Sequence, residues 1–438
     1  MSFSRLRGLG LSMAAALSVI ACGQVAQPTS AFKFDSAHNI AVDGVITNGK
    51  ILTTTTSDAS IKAQVSSQLY YTIGQMNGMN GGVDMARLEV SVGEKRVVEA
   101  GLWEATYAAK IFISWPRETA VPANYSFIVP ARGDNTGLLA FFQEYGADEH
   151  SDKKCLAWEA HEVAVSLLWY YYRPLKASCP LQEPTFGDPS VVVRIPLQLA
   201  ISGQNTTGKQ PEYAKMWQDG RLVATAIFGK YEDGATSAGD AGIEAYSEMY
   251  NSLLQTYGTP VRNSLPRGQV PSAANDDIRL TFNTVAGPLD VAIFLVDGIR
   301  SVGPEFDEKY NERTKISDFV SYSGHSGLGA NIRALARKGT FVRGQHQLYF
   351  VNGCDTFAYV DNSLRDAHQV ANPGSGPDKY FDIITNAMPS YFHMNAHSNI
   401  TIMSALIGRT LTYREILSSF DDSQRAAVTG EQDNGMPF

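Results

Sequence analysis

The second half of the chain alternates short apolar runs with segments of helical periodicity, and this pattern constrains the fold most. Apolar runs occupy residues 221–228, 278–282, 291–296, 319–322 and 348–351. Between the first two runs, residues 241–257 carry apolar side chains at spacings of three, four and seven, which predicts a helix. Helices are also expected at 304–314, 331–338, 380–391 and 412–419. Buried strands that alternate with helices predict an α/β domain with a mainly parallel sheet.

The first half has a different texture. Short alternating or aromatic runs at 66–73, 86–92, 108–115, 163–172 and 191–200 are separated by Gly, Asn and Pro. Several short strands with turn signals between them predict a β-rich, sandwich-like domain over residues 38–202. The polar, turn-rich segment 203–220 marks a boundary. We therefore expect the α/β domain at 215–425 and a flexible tail at 426–438.

The N-terminus has the pattern of an export signal. Arg5 and Arg7 precede an apolar stretch of 13 residues at 9–21, which is shorter than the roughly 20 residues of a membrane-spanning helix. The stretch ends in Val19-Ile-Ala-Cys22-Gly23, which resembles a bacterial lipobox. The resemblance implies a signal peptide at 1–21, lipidation of Cys22, a tether at 22–37 and an envelope location, with the outer membrane favoured. The alternative is an ordinary cleaved secretory signal with an incidental cysteine.

Charge and metal-ligand spacing exclude some classes of function. The net charge is −8 and no basic run stands out, which argues against nucleic-acid binding. His161-Glu162 lacks the second histidine of a zinc-peptidase helix, and His393 with His397 share a face only if that segment is helical. The sequence predicts neither a metal site nor a cofactor.

The four cysteines separate by context. Cys155 and Cys179 lie 24 residues apart in one aromatic-rich region, and we expect them to pair in an oxidising compartment, although two free buried thiols are the alternative. Cys354 is then left without a partner. A lone thiol in an exported chain is either a buried bystander or a nucleophile.

A histidine at the end of another strand favours the nucleophile. His325 follows the run 319–322, and Cys354 follows the run 348–351, 29 residues later. One helix lies between the two strands, so a parallel crossover brings both strand ends to one edge of the sheet. A nearby imidazolium lowers the pKa of a thiol enough to form thiolate at neutral pH. Gly324 and Gly353 leave room for sharp turns, and the backbone N–H groups of Ser326 and Cys354 are candidates for an oxyanion hole.

These two elements resemble the caspase-like cysteine peptidases, with gingipains nearest in texture. The matching segments are Tyr322-Ser-Gly-His325-Ser-Gly327 and Phe350-Val-Asn-Gly-Cys354-Asp355-Thr356, and the resemblance covers residues 215–420. It implies a caspase-like sheet and hydrolysis of a peptide or protein substrate, with His325 as general base and Cys354 as nucleophile. Ser326 stands where the family pattern has Gly. A pocket for a basic side chain would need an acid, for which the candidates are Asp233, Asp297 and Asp355.

Two other functions use the same residues differently. Gly324-His-Ser326-Gly-Leu328 nearly matches the Gly-x-Ser-x-Gly elbow of serine α/β-hydrolases, with Asp361 and either His393 or His397 as triad partners. In the second alternative the α/β half is a degenerate peptidase domain that only binds, in a non-catalytic lipoprotein.

Overall fold

Five parallel strands form the middle of the larger of two sheets. The computed structural model describes residues 32–146, 155–160, 163–182, 187–376 and 378–430. Within these ranges the larger sheet has nine strands and the smaller has five. The protein therefore has a mixed α/β fold.

The strands, in chain order, are β1 Lys33–Ser36, β2 Asn39–Thr53, β3 Gly82–Glu99, β4 Leu102–Pro116, β5 Asn124–Pro130, β6 Val192–Ile201, β7 Leu222–Gly229, β8 Arg262–Asn263, β9 Asp277–Thr284, β10 Gly287–Val296, β11 Phe319–Ser323, β12 Gln347–Asn352, β13 Phe381–Asn386 and β14 Ala426–Gly430. The helices are α1 Asp58–Leu69, α2 Tyr71–Asn77, α3 Asn135–Tyr145, α4 Leu168–Tyr171, α5 Tyr213–Met216, α6 Ala241–Tyr257, α7 Pro304–Thr314, α8 Ala330–Lys338, α9 Thr356–Tyr359, α10 Ser363–Ala371, α11 Asn395–Gly408 and α12 Tyr413–Leu417. Short 3-10 turns occur at Pro180–Gln182, Gly327–Gly329, Phe392–Met394 and Asp422–Gln424.

The strands of the larger sheet pair in both directions. The strand order is β1-β14-β13-β12-β11-β7-β10-β9-β8 in the larger sheet and β3-β4-β2-β6-β5 in the smaller one. The five central strands of the larger sheet, from β13 to β10, pair parallel to one another. On one side β14 pairs antiparallel with both β13 and β1, and on the other side β9 pairs antiparallel with both β10 and β8. The central strands are buried on both faces, since Leu348 and Phe350 of β12 contact one core and Tyr349 and Val351 contact the other. Burial on both faces explains why these strands are almost continuously apolar in the sequence.

Most elements predicted for the α/β half are present. The helices α6 and α7 have the predicted bounds, and α8 connects β11 to β12 as a parallel crossover. Asp240 caps α6 by accepting hydrogen bonds from the backbone N–H groups of Gly242 and Ile243. The apolar face of α6 packs on the sheet through side chains such as Tyr246 and Met249.

Three predicted elements were wrong. Residues 66–73 lie in α1 and α2, because Ile61, Val65 and Leu69 recur every four residues and are buried along one helix face. The run 163–172 forms the short helix α4 and a single bridge between Leu156 and Tyr172. Residues 380–391 contain β13 instead of a helix, because a short buried apolar run has no periodicity that separates the two structures.

The first half is also built differently from a sandwich. In the part of the chain that the structure describes, this half contains one antiparallel sheet, and helices α1 and α2 cover it instead of a second sheet. The strand β1, which falls in the predicted tether, pairs with β14, which falls in the predicted flexible tail. The signal peptide, Cys22 and residues 431–438 lie outside the described residues. Within those residues no helix is long and apolar enough to cross a bilayer.

Strands β1 and β2 connect the two sheets. The chain passes from β1 in the larger sheet directly into β2 in the smaller one, and Arg414 binds Asp35 of β1 with 2.6 Å between Nη2 and Oδ1. Phe34, Phe112 and Phe357 form a buried cluster between the sheets. This arrangement brings the first half against the loop that follows β12.

The predicted disulfide between Cys155 and Cys179 is confirmed, with 4.6 Å between the Cα atoms. Both cysteines are buried beside Leu156, Leu168 and Tyr172 in the core of the first half. The bond closes a loop over a sequence separation of 24, so it restricts the unfolded chain considerably.

We expect the double variant Cys155→Ser, Cys179→Ser to lose about 3 kcal/mol of unfolding free energy on the chain-entropy estimate. Urea unfolding followed by tryptophan fluorescence measures this loss. The control is Cys354→Ser, which removes a thiol but leaves the disulfide in place. An equal loss in both variants would show that the crosslink is not the source of the stability.

Candidate functional site

The ends of β11 and β12 meet at one edge of the larger sheet. These strands are parallel neighbours, with Ser323 opposite Asn352, and Gly324 N–H donates to Asn352 O at 3.0 Å. His325 and Cys354 each follow two residues after this last pair. The structure therefore places the predicted base and nucleophile at equivalent positions on neighbouring strand ends.

The two loops touch at Gly353. A Cβ atom at this position would lie 2.7 Å from Gly324 O and 3.3 Å from Ser326 N, closer than a side chain tolerates. Glycine is required here because of this close approach. The backbone that carries His325 and the backbone that carries Cys354 are thus in direct contact.

The His325 ring is oriented by the loop after β7. Its Nε2 lies 3.0 Å from the carbonyl oxygen of Tyr231. A carbonyl only accepts, so Nε2 carries the hydrogen and Nδ1 is the basic nitrogen of the neutral ring. The exposed imidazole lies between the rings of Tyr231 and Phe392, with centroids 5.5 and 5.6 Å away. A base oriented by a third group is the arrangement that an activated nucleophile needs.

The peptide group between His325 and Ser326 is also fixed. His325 O accepts hydrogen bonds from Asn331 Nδ2 at 2.7 Å and from the Tyr322 hydroxyl at 2.9 Å. In a trans peptide the N–H points opposite to the C=O, so Ser326 N–H faces away from these donors and toward Gly353. Among the described residues, neither Ser326 N–H nor Cys354 N–H donates to the backbone of another residue. The Cys354 N–H faces its own sulfur and lowers the pKa of the thiol, so Ser326 N–H is the more open of the two candidate oxyanion donors.

The thiol of Cys354 is partly exposed. It donates to Ser390 O at 3.4 Å. Burial raises the pKa of this thiol, and the carboxylate of Asp355 raises it further, while Tyr170 lowers it. In this arrangement the sulfur is held as a thiol, and formation of the thiolate depends on the approach of a cation such as imidazolium.

The three candidate acids have different surroundings. Asp297 is exposed and binds Lys230, with 2.8 Å between Oδ1 and Nζ, and it also accepts from Gly234 N–H. Asp233 is exposed in the same loop after β7. Asp355 is buried, with a side chain that accepts from Asn77 Nδ2 at 2.8 Å. Of these acids, only Asp233 and Asp297 face solvent.

A buried amide network supports the strand ends, and sequence reasoning missed it. Asn352 Oδ1 accepts from Asn386 Nδ2 and Ser390 Oγ, both at 2.6 Å, and Asn352 Nδ2 donates to Asn395 Oδ1 at 2.8 Å. Gln424 Nε2 joins at 3.2 Å. The network ties the loop after β13 to the turn that carries Cys354. The only sequence signal was the placement of Asn at the last position of both β12 and β13.

The residues of the serine-hydrolase alternative have separate partners. Ser326 has ordinary helical dihedrals of −67° and −28° instead of the strained ones of a nucleophile elbow. Asp361 pairs with Arg333 at 3.2 Å, while His397 on α11 lies 3.0 Å from Ser419 O. His393 stacks on Tyr391. Within the described residues, no contact connects these groups into a triad.

Metal-ligating groups do not cluster in the described ranges, where no group of three or more His, Cys, Asp or Glu side chains is placed to hold an ion. His161 and Glu162 lie outside those ranges.

No protein-family model matches this chain, and no curated protein matches it. The geometry of the strand ends is therefore the basis for a function.

Asp355 makes the stability depend on pH. Burial raises the pKa of Asp355 to about 7, although Asn77 and Arg173 oppose the shift. An aspartate in an unfolded chain has a pKa of about 3.9, so between about pH 4 and 7 the folded state binds more protons than the unfolded state. The free energy of unfolding therefore falls as the pH rises through this window.

We expect Asp355→Asn to remove this dependence and to gain unfolding free energy relative to the wild type between pH 4 and 8, on the order of 2–4 kcal/mol. Urea unfolding at both pH values measures the difference between the two proteins. Asp233→Asn is the matched control, since it makes the same change at an exposed site. Parallel pH profiles for the wild type and Asp355→Asn would contradict the assignment.

Proposed function

We propose that the protein is a cysteine peptidase whose α/β half is a caspase-like domain. The single observation that carries the proposal is the placement of His325 and Cys354 at neighbouring parallel strand ends, with loops in contact at Gly353. Tyr231 O orients the imidazole and leaves Nδ1 as its basic nitrogen, which agrees with the role of a general base. The resemblance of both segments to the caspase-like pattern agrees with the same chemistry.

The reaction follows from the donors and acceptors at the site. His325 accepts the thiol proton at Nδ1 when a substrate brings the two groups together. The Cys354 thiolate then attacks the peptide carbonyl, and the N–H groups of Ser326 and Cys354 stabilise the oxyanion. The imidazolium returns its proton to the leaving amine, which departs as the carbon–nitrogen bond breaks. Water then hydrolyses the thioester, restoring the thiol and releasing the acid product.

The preference of this peptidase for a basic substrate side chain depends on which acid lies open to solvent near His325 and Cys354. Asp297 is neutralised by Lys230, and Asp355 is enclosed by Asn77 and the nearby Arg173. The imidazole of His325 lies between the aromatic rings of Tyr231 and Phe392. Of the three predicted acids, Asp233 is the candidate that remains for a basic substrate side chain.

We expect Cys354→Ala to abolish peptide hydrolysis and His325→Ala to lower kcat/KM by about 10²–10⁴-fold, the usual contribution of a general base. Fluorogenic peptides with varied side chains, together with a peptidyl acyloxymethyl ketone that labels active thiols, supply the readouts. His397→Ala is the matched control, because His397 is also exposed and also bonds a backbone carbonyl through Nε2.

The other functions predict different results. Loss of ester turnover in Ser326→Ala alone would support the serine-hydrolase alternative. A wild type that neither cleaves peptides nor reacts with the ketone would support a non-catalytic binding domain. Unchanged hydrolysis in both Cys354→Ala and His325→Ala would exclude the cysteine mechanism.

We also propose that the protein is held at the bacterial envelope, at the outer membrane, by a lipid on Cys22. The support is the sequence Val19-Ile-Ala-Cys22-Gly23 after an apolar stretch. In a bacterial host, we expect the wild type to incorporate a radiolabelled fatty acid and Cys22→Ala to incorporate none. Label that persists in the Cys22→Ala variant would contradict the assignment.

A further inference from the structure

One carboxylate holds the loop that orients His325. This loop, residues 230–240, follows β7 and ends at Asp240, the residue that caps α6. Asp240 Oδ1 accepts a hydrogen bond from Tyr231 N–H at 3.0 Å, and Asp240 Oδ2 accepts one from Glu232 N–H at 2.9 Å. The side chain at the end of the loop therefore binds the backbone at its beginning.

The peptide group between Tyr231 and Glu232 connects Asp240 to His325. Its carbonyl oxygen, on Tyr231, lies 3.0 Å from His325 Nε2, and its N–H, on Glu232, donates to Asp240. This group is trans, as are all the described peptide bonds. The C=O and the N–H of a trans peptide point in opposite directions, so the imidazole and the carboxylate lie on opposite sides of one peptide group.

Hydrogen bonds in such a chain strengthen one another. A carboxylate that accepts a peptide N–H increases the electron density on the carbonyl oxygen of the same group, which makes that oxygen a better acceptor. The peptide dipole is aligned with this effect, since its negative end is the oxygen that faces the ring. A stronger acceptor favours imidazolium over neutral imidazole, because a charged donor forms the stronger hydrogen bond.

We propose that Asp240 is a positioning residue for His325, acting through the peptide group between Tyr231 and Glu232. It fixes the carbonyl that holds the imidazole, and it stabilises the imidazolium that forms when Nδ1 accepts the Cys354 proton. This inference deepens the peptidase function proposed above and rests on it for its catalytic meaning. The effect on the imidazole itself is measurable without a substrate.

Asp240 is ionised and fixed in place. The side chain is half-buried, and burial raises the pKa of its carboxyl, but four backbone N–H groups outweigh burial and hold the pKa below its usual value. Besides the two N–H groups of the loop, the donors are Gly242 N–H at 2.9 Å and Ile243 N–H at 3.1 Å. The carboxylate cannot leave the peptide group without also losing the cap of α6.

The rest of the loop is anchored independently of Asp240. Asp297 accepts from Gly234 N–H at 3.0 Å and pairs with Lys230 at 2.8 Å. Lys230 N–H also donates to Val296 O of β10 at 2.8 Å. A change at Asp240 therefore leaves these anchors in place on both sides of the Tyr231 peptide.

Other ionisable groups lie on the elements around the imidazole. They are Lys230, Tyr231, Glu232 and Asp233 of the loop after β7, Asp297 after β10, Tyr322 of β11, Cys354 and Asp355 after β12, and Tyr391 and His393 after β13. A substitution of Asp240 leaves all of them in the protein. The difference between the wild type and such a variant therefore reports on the Asp240 carboxylate.

The test is the titration of the His325 ring, followed by proton NMR. His325→Ala identifies the signal of this ring among those of the eight histidines. We expect Asp240→Asn to move the midpoint of this titration to lower pH by about 0.5–1 unit, as the loss of one nearby charge requires. Asparagine is a good N-cap, but its amide has one oxygen and cannot also accept from Glu232 N–H.

Two further variants separate this role from the capping of a helix. Asp240→Ser keeps a hydroxyl that caps α6 but has neither a charge nor a second oxygen, so we expect the same displacement of the midpoint as in Asp240→Asn. Asp134→Asn is the matched control, because Asp134 caps α3 in the first half of the chain by accepting from Gly137 N–H at 2.8 Å. We expect this control to leave the midpoint unchanged.

Peptide hydrolysis gives the second readout. We expect Asp240→Asn to lower kcat by about 3–10-fold, the factor that 0.5–1 unit represents, with little change in KM. The loss falls on kcat because the imidazolium forms only after the substrate has bound.

The NMR titration needs no turnover, so the two proposals fail separately. A displaced midpoint in a protein that cleaves no peptide supports the role of Asp240 and contradicts the peptidase. An unchanged midpoint in both Asp240→Asn and Asp240→Ser overturns the role of Asp240, even if the protein is a peptidase. An equal displacement in Asp134→Asn would also overturn it, since any lost carboxylate would then have the same effect.

Discussion

The parallel pairing of β11 with β12 sets the positions of His325 and Cys354 in the candidate site. Ser323 lies opposite Asn352, so the chains that leave these residues start side by side. A shift of one residue in this register would turn His325 and Cys354 to opposite faces of the sheet. The register is held by burial on both faces of β12 and by the amide network around Asn352.

The local electrostatics of the sulfur oppose its ionisation. Burial and the neighbouring Asp355 both favour the neutral thiol, and the thiol already donates to Ser390 O. The imidazole of His325, which follows the neighbouring strand β11, is oriented by Tyr231 O. A substrate that displaces solvent between the two groups would strengthen their attraction, because charges interact more strongly as the local dielectric constant falls. The arrangement is consistent with a thiol that ionises only when a substrate is in place.

The first half of the chain has a structural connection to this edge. Its sheet joins the larger sheet through β1 and β2, and Asn77 of α2 donates to Asp355. Arg173 lies near the same carboxyl from the disulfide-closed segment. Removal of the first half would thus expose or leave unpaired a buried carboxyl next to Cys354, which links the stability of one half to the surroundings of the thiol in the other.

Much of the α/β half was predictable from the sequence alone, because its strands and helices differ in length and periodicity. The apolar runs identified β7, β10, β11 and β12, the spacing of three and four identified α6, and the cysteine contexts identified the disulfide. The sequence analysis missed strand β13 and helices α1 and α2. A short buried apolar run has the same pattern in a strand and in a helix, so tertiary contacts decide which of the two forms. The sequence also determined that a lone cysteine and a histidine follow neighbouring strands. Only the tertiary structure decided that Tyr231 O orients the imidazole and that Asn77 encloses Asp355, because each contact joins segments far apart in the chain that no local pattern connects.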